Sequence, residues 1–265
     1  LGVACIDFGG ATTTVSVFSE GQLVYTDAIA IGGHHLTLDV ARQLSVSVAD
    51  AERLKTMFAY IAALEPMRAG GKVAIVDLEM GPHAAHTLLA ELGATKKEIA
   101  STYYIETDEA PTPANLEAMV SAGVTLAIVD AAAGAYAVSG LDDNLRKDAE
   151  KFARIWIDPL WKRSVTTLTI DHVTKDAEAR GKFAIGSERK VGGADVHLGL
   201  QVVRHLHRGG TGLVRIAVHK DRPGFLTRPA AAELELTSEA HTHALSWSFR
   251  PATGEEGDGF RPTWY

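Results

Sequence analysis

The rhythm of apolar and polar positions changes along this chain, and each change predicts a different kind of element. Between Gly2 and Phe18, the apolar run Val3-Ala4-Cys5-Ile6, the glycine-rich stretch Asp7–Ala11 and the run Val15-Ser16-Val17-Phe18 predict a β-hairpin. Glu20-Gly21 marks another turn, and Leu23-Val24-Tyr25 a third strand. Leu36–Leu44 predicts a helix. Val48–Leu64 predicts a second, with Asp50 as N-cap and Leu54, Met57, Phe58 and Ile61 at helical spacing.

After the break Ala69-Gly70-Gly71-Lys72 the rhythm becomes strand–helix alternation. Strands are expected at Val73–Leu78, Tyr103–Ile105, Leu126–Val129 and Thr166–Ile170. Helices are expected at His83–Leu92, Pro113–Ala122 and Asp142–Trp161. Such alternation predicts a parallel sheet with crossover helices. From Val196 the pattern is all-β, with strands at Leu198–Val203, Gly212–Val218, Ala232–Leu236 and Leu245–Phe249 that read as antiparallel additions to the same sheet. The expected fold class is therefore α/β, mainly parallel, with an antiparallel C-terminal extension and an N-terminal hairpin segment.

Composition narrows the function classes. Hydrophobic residues make up 46% and charged residues 22% of the 265, an ordinary globular balance. The formal charge of −7 excludes a globally basic nucleic-acid binder, though not a local basic patch. Cys5 is the only cysteine, so there is no intrachain disulfide and no cysteine-based zinc site, which suggests a reducing, cytoplasmic setting. No apolar run reaches the roughly 18 residues of a membrane-spanning helix, and no basic stretch precedes an apolar one as in a signal peptide. The start at Leu1 reads as that of a fragment or processed form.

Open α/β sheets place function at the carboxyl ends of their strands. Glu79 follows the strand Val73–Leu78, Asp130 follows Leu126–Val129, and His172 lies just past Thr166–Ile170. Nucleotide hydrolysis needs a carboxylate to hold Mg²⁺ and its water, a group to orient the attacking water, and a polar sensor of the terminal phosphate. An apolar strand ending in Asp is the simplest magnesium signal, although such an Asp also commonly caps a turn, and an edge histidine is commonly structural.

The segments Val76-Asp77-Leu78-Glu79-Met80-Gly81-Pro82, Ile170-Asp171-His172-Val173-Thr174-Lys175-Asp176, Gly192-Gly193-Ala194-Asp195 and Val218-His219-Lys220-Asp221-Arg222-Pro223-Gly224 resemble RepA-type RecA-like ATPases, P-loop NTPases of the AAA-type replicative helicase group, over about 72–262. That resemblance implies Asp130 as the Walker B aspartate on Mg²⁺, Glu79 as the catalytic carboxylate and His172 as phosphate sensor. It also implies Lys190, with Arg189, as a basic finger toward a neighbouring subunit, hence a homo-oligomeric ring acting on DNA with ATP. The chain departs from the pattern. The Walker A loop is missing, because Gly70-Gly71-Lys72 has no earlier glycine at the right spacing and Val73 replaces Ser/Thr. Ala131 also follows Asp130 where a hydroxyl is usual. Weak or lost hydrolysis is the expectation.

A second resemblance covers about 2–57. Asp7-Phe8-Gly9-Gly10-Ala11-Thr12-Thr13-Thr14 with Val15–Phe18 looks like the second phosphate loop of actin-like ATPases. Gly32-Gly33, Leu38-Asp39-Val40-Ala41 and Ala51-Glu52-Arg53-Leu54-Lys55 resemble the bacterial division actin FtsA. Glycines let backbone amides approach phosphate and hydroxyls add donors. Gly9, Gly10, Thr12 and Thr13 are thus candidate phosphate contacts, with Asp7 a candidate magnesium ligand through water. Ala11 replaces a common third glycine and Thr14 a common Asp, and a ligand-free hairpin accounts for the same residues equally well. The chain thus reads as a mosaic of an FtsA-like segment, 1–65, and a RepA/RecA-like core, 66–265, joined near Phe58–Gly71. The leading expectation is an ATP-dependent replication motor domain or its remnant. The alternatives are a fragment of an FtsA-like division protein and a non-catalytic nucleotide-binding or assembly module.

The remaining features add little. His34-His35, His83/His86 and His205/His207 read as solvated histidines rather than metal ligands. Arg204–Arg208, Arg215, Lys220, Arg222 and Arg228 form a basic cluster that could face DNA or simply solvent. Trp156 and Trp161 are expected in the core.

Overall fold

The computed structural model describes residues 2–8, 13–19, 22–29, 48–143, 145–171, 193–242 and 244–252. The chain divides into two compact units, Leu1–Ala51 and Glu52–Tyr265. In the first, β1 (Gly2–Phe8), β2 (Thr13–Ser19) and β3 (Gln22–Ile29) form an antiparallel sheet in that order, as the hairpin pattern predicts. The helix expected at Leu36–Leu44 lies outside the described residues.

Helix α1 (Val48–Arg68) continues a turn beyond the expected Leu64. Leu54, Met57, Tyr60, Ile61, Leu64 and Met67 on it are all buried, as an apolar stripe at helical spacing requires. The chain then turns at Gly70, whose φ of 82° suits glycine, into β4 (Lys72–Asp77). Helices α2 (Pro82–Glu91) and α3 (Lys96–Ser101) lead to β5 (Tyr103–Glu106), and α4 (Pro113–Ser121) to β6 (Val124–Asp130). Helix α5 (Ala132–Val138) follows at once. Strand β7 (Thr166–Thr169) completes a wholly parallel sheet in the order β5-β4-β6-β7. After β5 the chain crosses back over β4, so the strand order reverses between β4 and β6.

The single helix expected at Asp142–Trp161 is broken. It runs as α6 (Arg146–Phe152), a π-helical turn (Ala153–Ile157) and the short α7 (Asp158–Trp161). Pro159 supplies the reason: it has no N–H to continue the α-helical ladder, and its ring crowds the preceding turn. Trp156 is buried as expected and donates from Nε1 to Ser139 Oγ at 2.9 Å. Trp161 is not in the core. It is 65% exposed, because the break leaves it at the end of the last turn.

The C-terminal strands β8 (Val196–Arg204), β9 (Thr211–Asp221), β10 (Ala230–Ser238) and β11 (Leu245–Arg250) are found where expected. They do not extend the parallel sheet. They pair with one another, antiparallel and consecutively, as a separate four-stranded sheet. Short connections satisfy their backbone groups locally, and their inner face is covered by apolar packing rather than by edge pairing. One hydrophobic cluster takes in α1, α2, Val73 and Ile75 of β4, Ile128 of β6, and Leu200, Val214, Ile216, Leu234 and Leu236 of the antiparallel sheet. Trp247 anchors that packing by donating from Nε1 to the Leu92 carbonyl at 3.1 Å.

Candidate functional site at the carboxyl ends of the parallel strands

Strands β4 and β6 both end on an aspartate, and the register places Asp77 opposite Asp130. Both are nearly inaccessible, at 2% and 1% exposure. Runs of Val, Ile and Ala bury both faces of these strands, so a polar residue can enter only where the strands stop. The two carboxylates flank the point where strand order reverses, the usual location of ligand crevices in such sheets.

Asp77 is held by neutral donors. Its Oδ1 accepts from the amides of Glu79 and Met80, each at 2.8 Å, and its Oδ2 accepts from the Tyr104 hydroxyl. Burial, followed by this hydrogen bond and the Asp77 charge, pushes the Tyr104 hydroxyl well above the usual tyrosine range. Tyr60, on the buried face of α1, behaves alike: burial first, then the Asp130 and Asp77 charges, raise it. Its hydroxyl is buried and makes no hydrogen bond among the described residues. Both tyrosine hydroxyls thus lie near the two carboxylates. The Asp130–Ala131 peptide is cis, and α5 starts immediately after it. Gly134 lets this helix approach β4 closely, since a Cβ there would stand 2.7 Å from Leu78 Cβ.

Among the described residues Lys55 is the buried lysine, at 7% exposure. Its Nζ donates to the Asp171 carbonyl at 2.9 Å, just past β7, one strand over from Asp130. Thr56 beside it is also buried. Glu79 is exposed two residues beyond the end of β4, and with Asp77, Gly81, Glu106, Thr107 and Asp108 it lines an acidic cleft.

The structure thus brings Asp130 and Glu79 to the same end of the sheet, as the spacing predicts. His172, Arg189 and Lys190 lie outside the described residues, as do Gly9, Gly10 and Thr12. Asp7 and Thr13 are placed within β1 and β2, paired in register with Thr14 and Phe8. Sequence reasoning missed Asp77, Tyr104, Tyr60, Lys55 and Thr56. The signal for Asp77 was present, since Val73–Val76 is an apolar strand ending in Asp just as Leu126–Val129 is. The others come from elements whose approach to the strand ends leaves no local trace.

Four arginines of the basic cluster are engaged by neighbouring residues. Arg204 pairs with Glu235 at 3.5 Å, Arg215 with Glu233 at 2.9 Å and Arg222 with Asp195 at 2.5 Å, while Arg208 donates to the Ala240 carbonyl at 3.0 Å. No described helix is long and apolar enough to cross a membrane.

With this geometry in view, the comparisons with known proteins can be placed. The model of the family described as "Cell division protein FtsA" matches residues 4–158. The cell division protein FtsA of Agrobacterium fabrum is 63% identical over 57 residues, 22% of this chain and 13% of that protein. FtsA of Bacillus subtilis is 47% identical over 55 residues, 21% of this chain and 12% of that protein. The chain therefore spans about 13% of the length of the curated relatives it matches. Among solved structures, the RadB recombinase superposes with a TM-score of 0.47 and 14% identity over 69% of this chain and 82% of that one. A KaiC-like protein from the hyperthermophilic archaeon Pyrococcus horikoshii does so with a TM-score of 0.46 and 11% identity over 69% and 79%. Likeness at these TM-scores fixes neither fold nor function.

Proposed function

Because this chain belongs to the cell division protein FtsA family, we propose that it is a cytoplasmic nucleotide-binding module that takes ATP with Mg²⁺ at the carboxyl ends of β4 and β6. One observation carries the reading: two buried carboxylates, Asp77 and Asp130, stand side by side at the reversal of strand order. Asp77 accepts from three neutral donors, which fix the turn into Glu79 without a cation to cancel its charge. Asp130 is the carboxylate suited to the metal, since Mg²⁺ is commonly held by one or two carboxylates, with waters and substrate phosphates completing the shell. When bound, the ion would neutralise phosphate charge. Lys55 brings an ammonium, and Thr56 a hydroxyl, to the end of the sheet that lacks a glycine-rich loop. Glu79, exposed in the cleft, is placed to orient a water. The missing N–H cradle keeps hydrolysis weak.

The RepA-like replication motor, with DNA as partner and a homo-oligomeric ring, remains the second reading. It is favoured by Asp77-Leu78-Glu79, Asp130 and Asp171 at or just past the ends of the neighbouring strands β4, β6 and β7. The hairpin residues Asp7, Gly9, Gly10, Thr12 and Thr13 are the phosphate contacts of the division-protein reading, and Arg189 and Lys190 the trans finger of the motor reading.

Calorimetric titration of ATP with Mg²⁺ and with EDTA tests the site. Micromolar, magnesium-dependent binding that Asp130→Ala abolishes supports it. No binding at millimolar ATP by a folded sample overturns it. Turnover stimulated by single-stranded DNA would favour the motor reading over the division-protein one.

A further inference from the structure

We infer that the Tyr60 hydroxyl is a positioning group of the site proposed above, the hydrogen-bond partner of a water on the cation that Asp130 holds. The inference rests on that reading and adds to it a residue from outside the sheet. Tyr60 is 0% exposed, on the buried face of α1, and its hydroxyl makes no hydrogen bond among the described residues. A hydroxyl taken out of water without a partner costs free energy that a phenylalanine of the same shape avoids. Buried tyrosine hydroxyls ordinarily find a partner for that reason.

The place of the hydroxyl indicates which partner it would take. Tyr60 belongs to the same buried cluster as Ile128 of β6, Ala131 and Ile170. Ala131 directly follows Asp130, and Ile170 precedes Asp171, whose carbonyl accepts from Lys55 on the same helix as Tyr60. Helix α1 is thus tied to the carboxyl end of the sheet and carries Tyr60 among the residues that flank Asp130. After burial itself, the charge of Asp130 and then that of Asp77 act most strongly on the hydroxyl. The neighbouring Tyr104 hydroxyl is committed, since it donates to Asp77. The Tyr60 hydroxyl is not. Mg²⁺ held by one or two carboxylates keeps several of its waters, and each water needs acceptors in a dry site. The side chains of Ile128, Ala131 and Ile170 offer none. A hydroxyl, which both donates and accepts, offers one.

Tyr60→Phe keeps the ring and its packing, and calorimetry and urea unfolding of the full chain test the inference with it. Without ligand the variant should unfold at higher urea than the wild type, since no bond is lost. ATP with Mg²⁺ should bind it about tenfold more weakly, the loss expected of one hydrogen bond. ATP in EDTA should bind both proteins alike. A merely structural role would move stability and leave the magnesium-dependent part of binding where it was. A variant less stable than the wild type without ligand overturns the inference, because the hydroxyl then already has a partner. Equal affinity for ATP with Mg²⁺ overturns it too, and so does a loss of the same size in EDTA, which would put the hydroxyl on phosphate. A wild-type chain that binds no ATP removes the site and the inference together, whereas binding that Asp130→Ala abolishes and Tyr60→Phe leaves intact removes the inference alone.

Discussion

Two buried carboxylates in this chain are kept in opposite ways. Glu233, on β10, is 1% exposed and lies between two guanidiniums: Arg215 at 2.9 Å and Arg250 at 3.0 Å. Asp77, on β4, is equally buried but held by a tyrosine hydroxyl and two backbone amides, with no ion pair among the described residues. Guanidiniums cancel the charge they bind, whereas neutral donors solvate it and leave it in place. The buried carboxylate of the antiparallel sheet is therefore neutralised where it stands. The end of the parallel sheet sets the hydroxyls of Tyr60 and Tyr104 near Asp77 and Asp130, and burial first, with these carboxylates adding to it, pushes both hydroxyls above the usual tyrosine range. A charge kept in a buried place at a switch of strand order is one that a cation or a cation-bearing ligand can use.

The largest way to break this contrast is to strip Glu233 of a partner. Arg215→Ala takes one of two guanidiniums from a buried carboxylate and leaves it the half-exposed Arg250. It should cost about 3 kcal/mol, the low end for breaking a buried pair, read by urea unfolding. The pH dependence follows from the direction of the shift. Burial alone would raise Glu233, but the hydrogen bonds and charges of Arg215 and Arg250 outweigh it and hold the carboxyl below its ordinary value. A depressed carboxyl stabilises the fold above its unfolded value of roughly 4.3 and loses that contribution as pH falls through the folded value. The gap between wild type and Arg215→Ala should therefore be full at neutral pH and close in acid. A gap that persists unchanged at pH 3 would show that packing, not charge, made the difference.

At the parallel end the same operation should cost less. Tyr104→Phe removes one of three donors to Asp77 and should destabilise by about 1–2 kcal/mol, since two amides remain on the other oxygen. Tyr60→Phe should go the other way. Its buried hydroxyl makes no hydrogen bond among the described residues, so removing it should stabilise the ligand-free protein by about 1 kcal/mol. If the gain turns into a loss once ATP and Mg²⁺ are present, that hydroxyl faces the ligand.

Much of the fold behind this contrast could be read in the sequence, but neither Asp77 nor Glu233 was. The apolar strands and their order were legible, because runs such as Val73–Val76 and Leu126–Val129 fit no solvated element. Asp130 was legible for the same reason, as the first polar residue after such a run, whereas after Val73–Val76 that residue is Asp77 and the reading settled on Glu79, two positions on. Lys55, Thr56 and Tyr60 were not, because α1 reads as an ordinary amphipathic helix and only packing decides which strand ends it crosses. Helix α3 was missed although Thr95 and Glu98 form a capping box, a local signal that was there to use. Helix α5 was missed because Ala-Ala-Gly-Ala has no apolar stripe; it exists to bring small residues against Leu78. The separate antiparallel sheet was missed because strand pattern specifies faces, not partners.

The smallest effect sharpens the comparison from its other side. Arg163 and Glu117 pair at 3.1 Å on the parallel half, with the same chemistry as Arg215 and Glu233, but their side chains are 39% and 57% exposed. Water already solvates both groups, salt screens them, and two long side chains must be ordered to meet. Arg163→Ala should therefore cost less than about 0.5 kcal/mol, and that little should vanish in high salt. A loss approaching that of Arg215→Ala would mean that burial is not what separates the two carboxylate environments. In that case the reading of Asp77 and Asp130 as charges kept for a ligand would lose its physical basis.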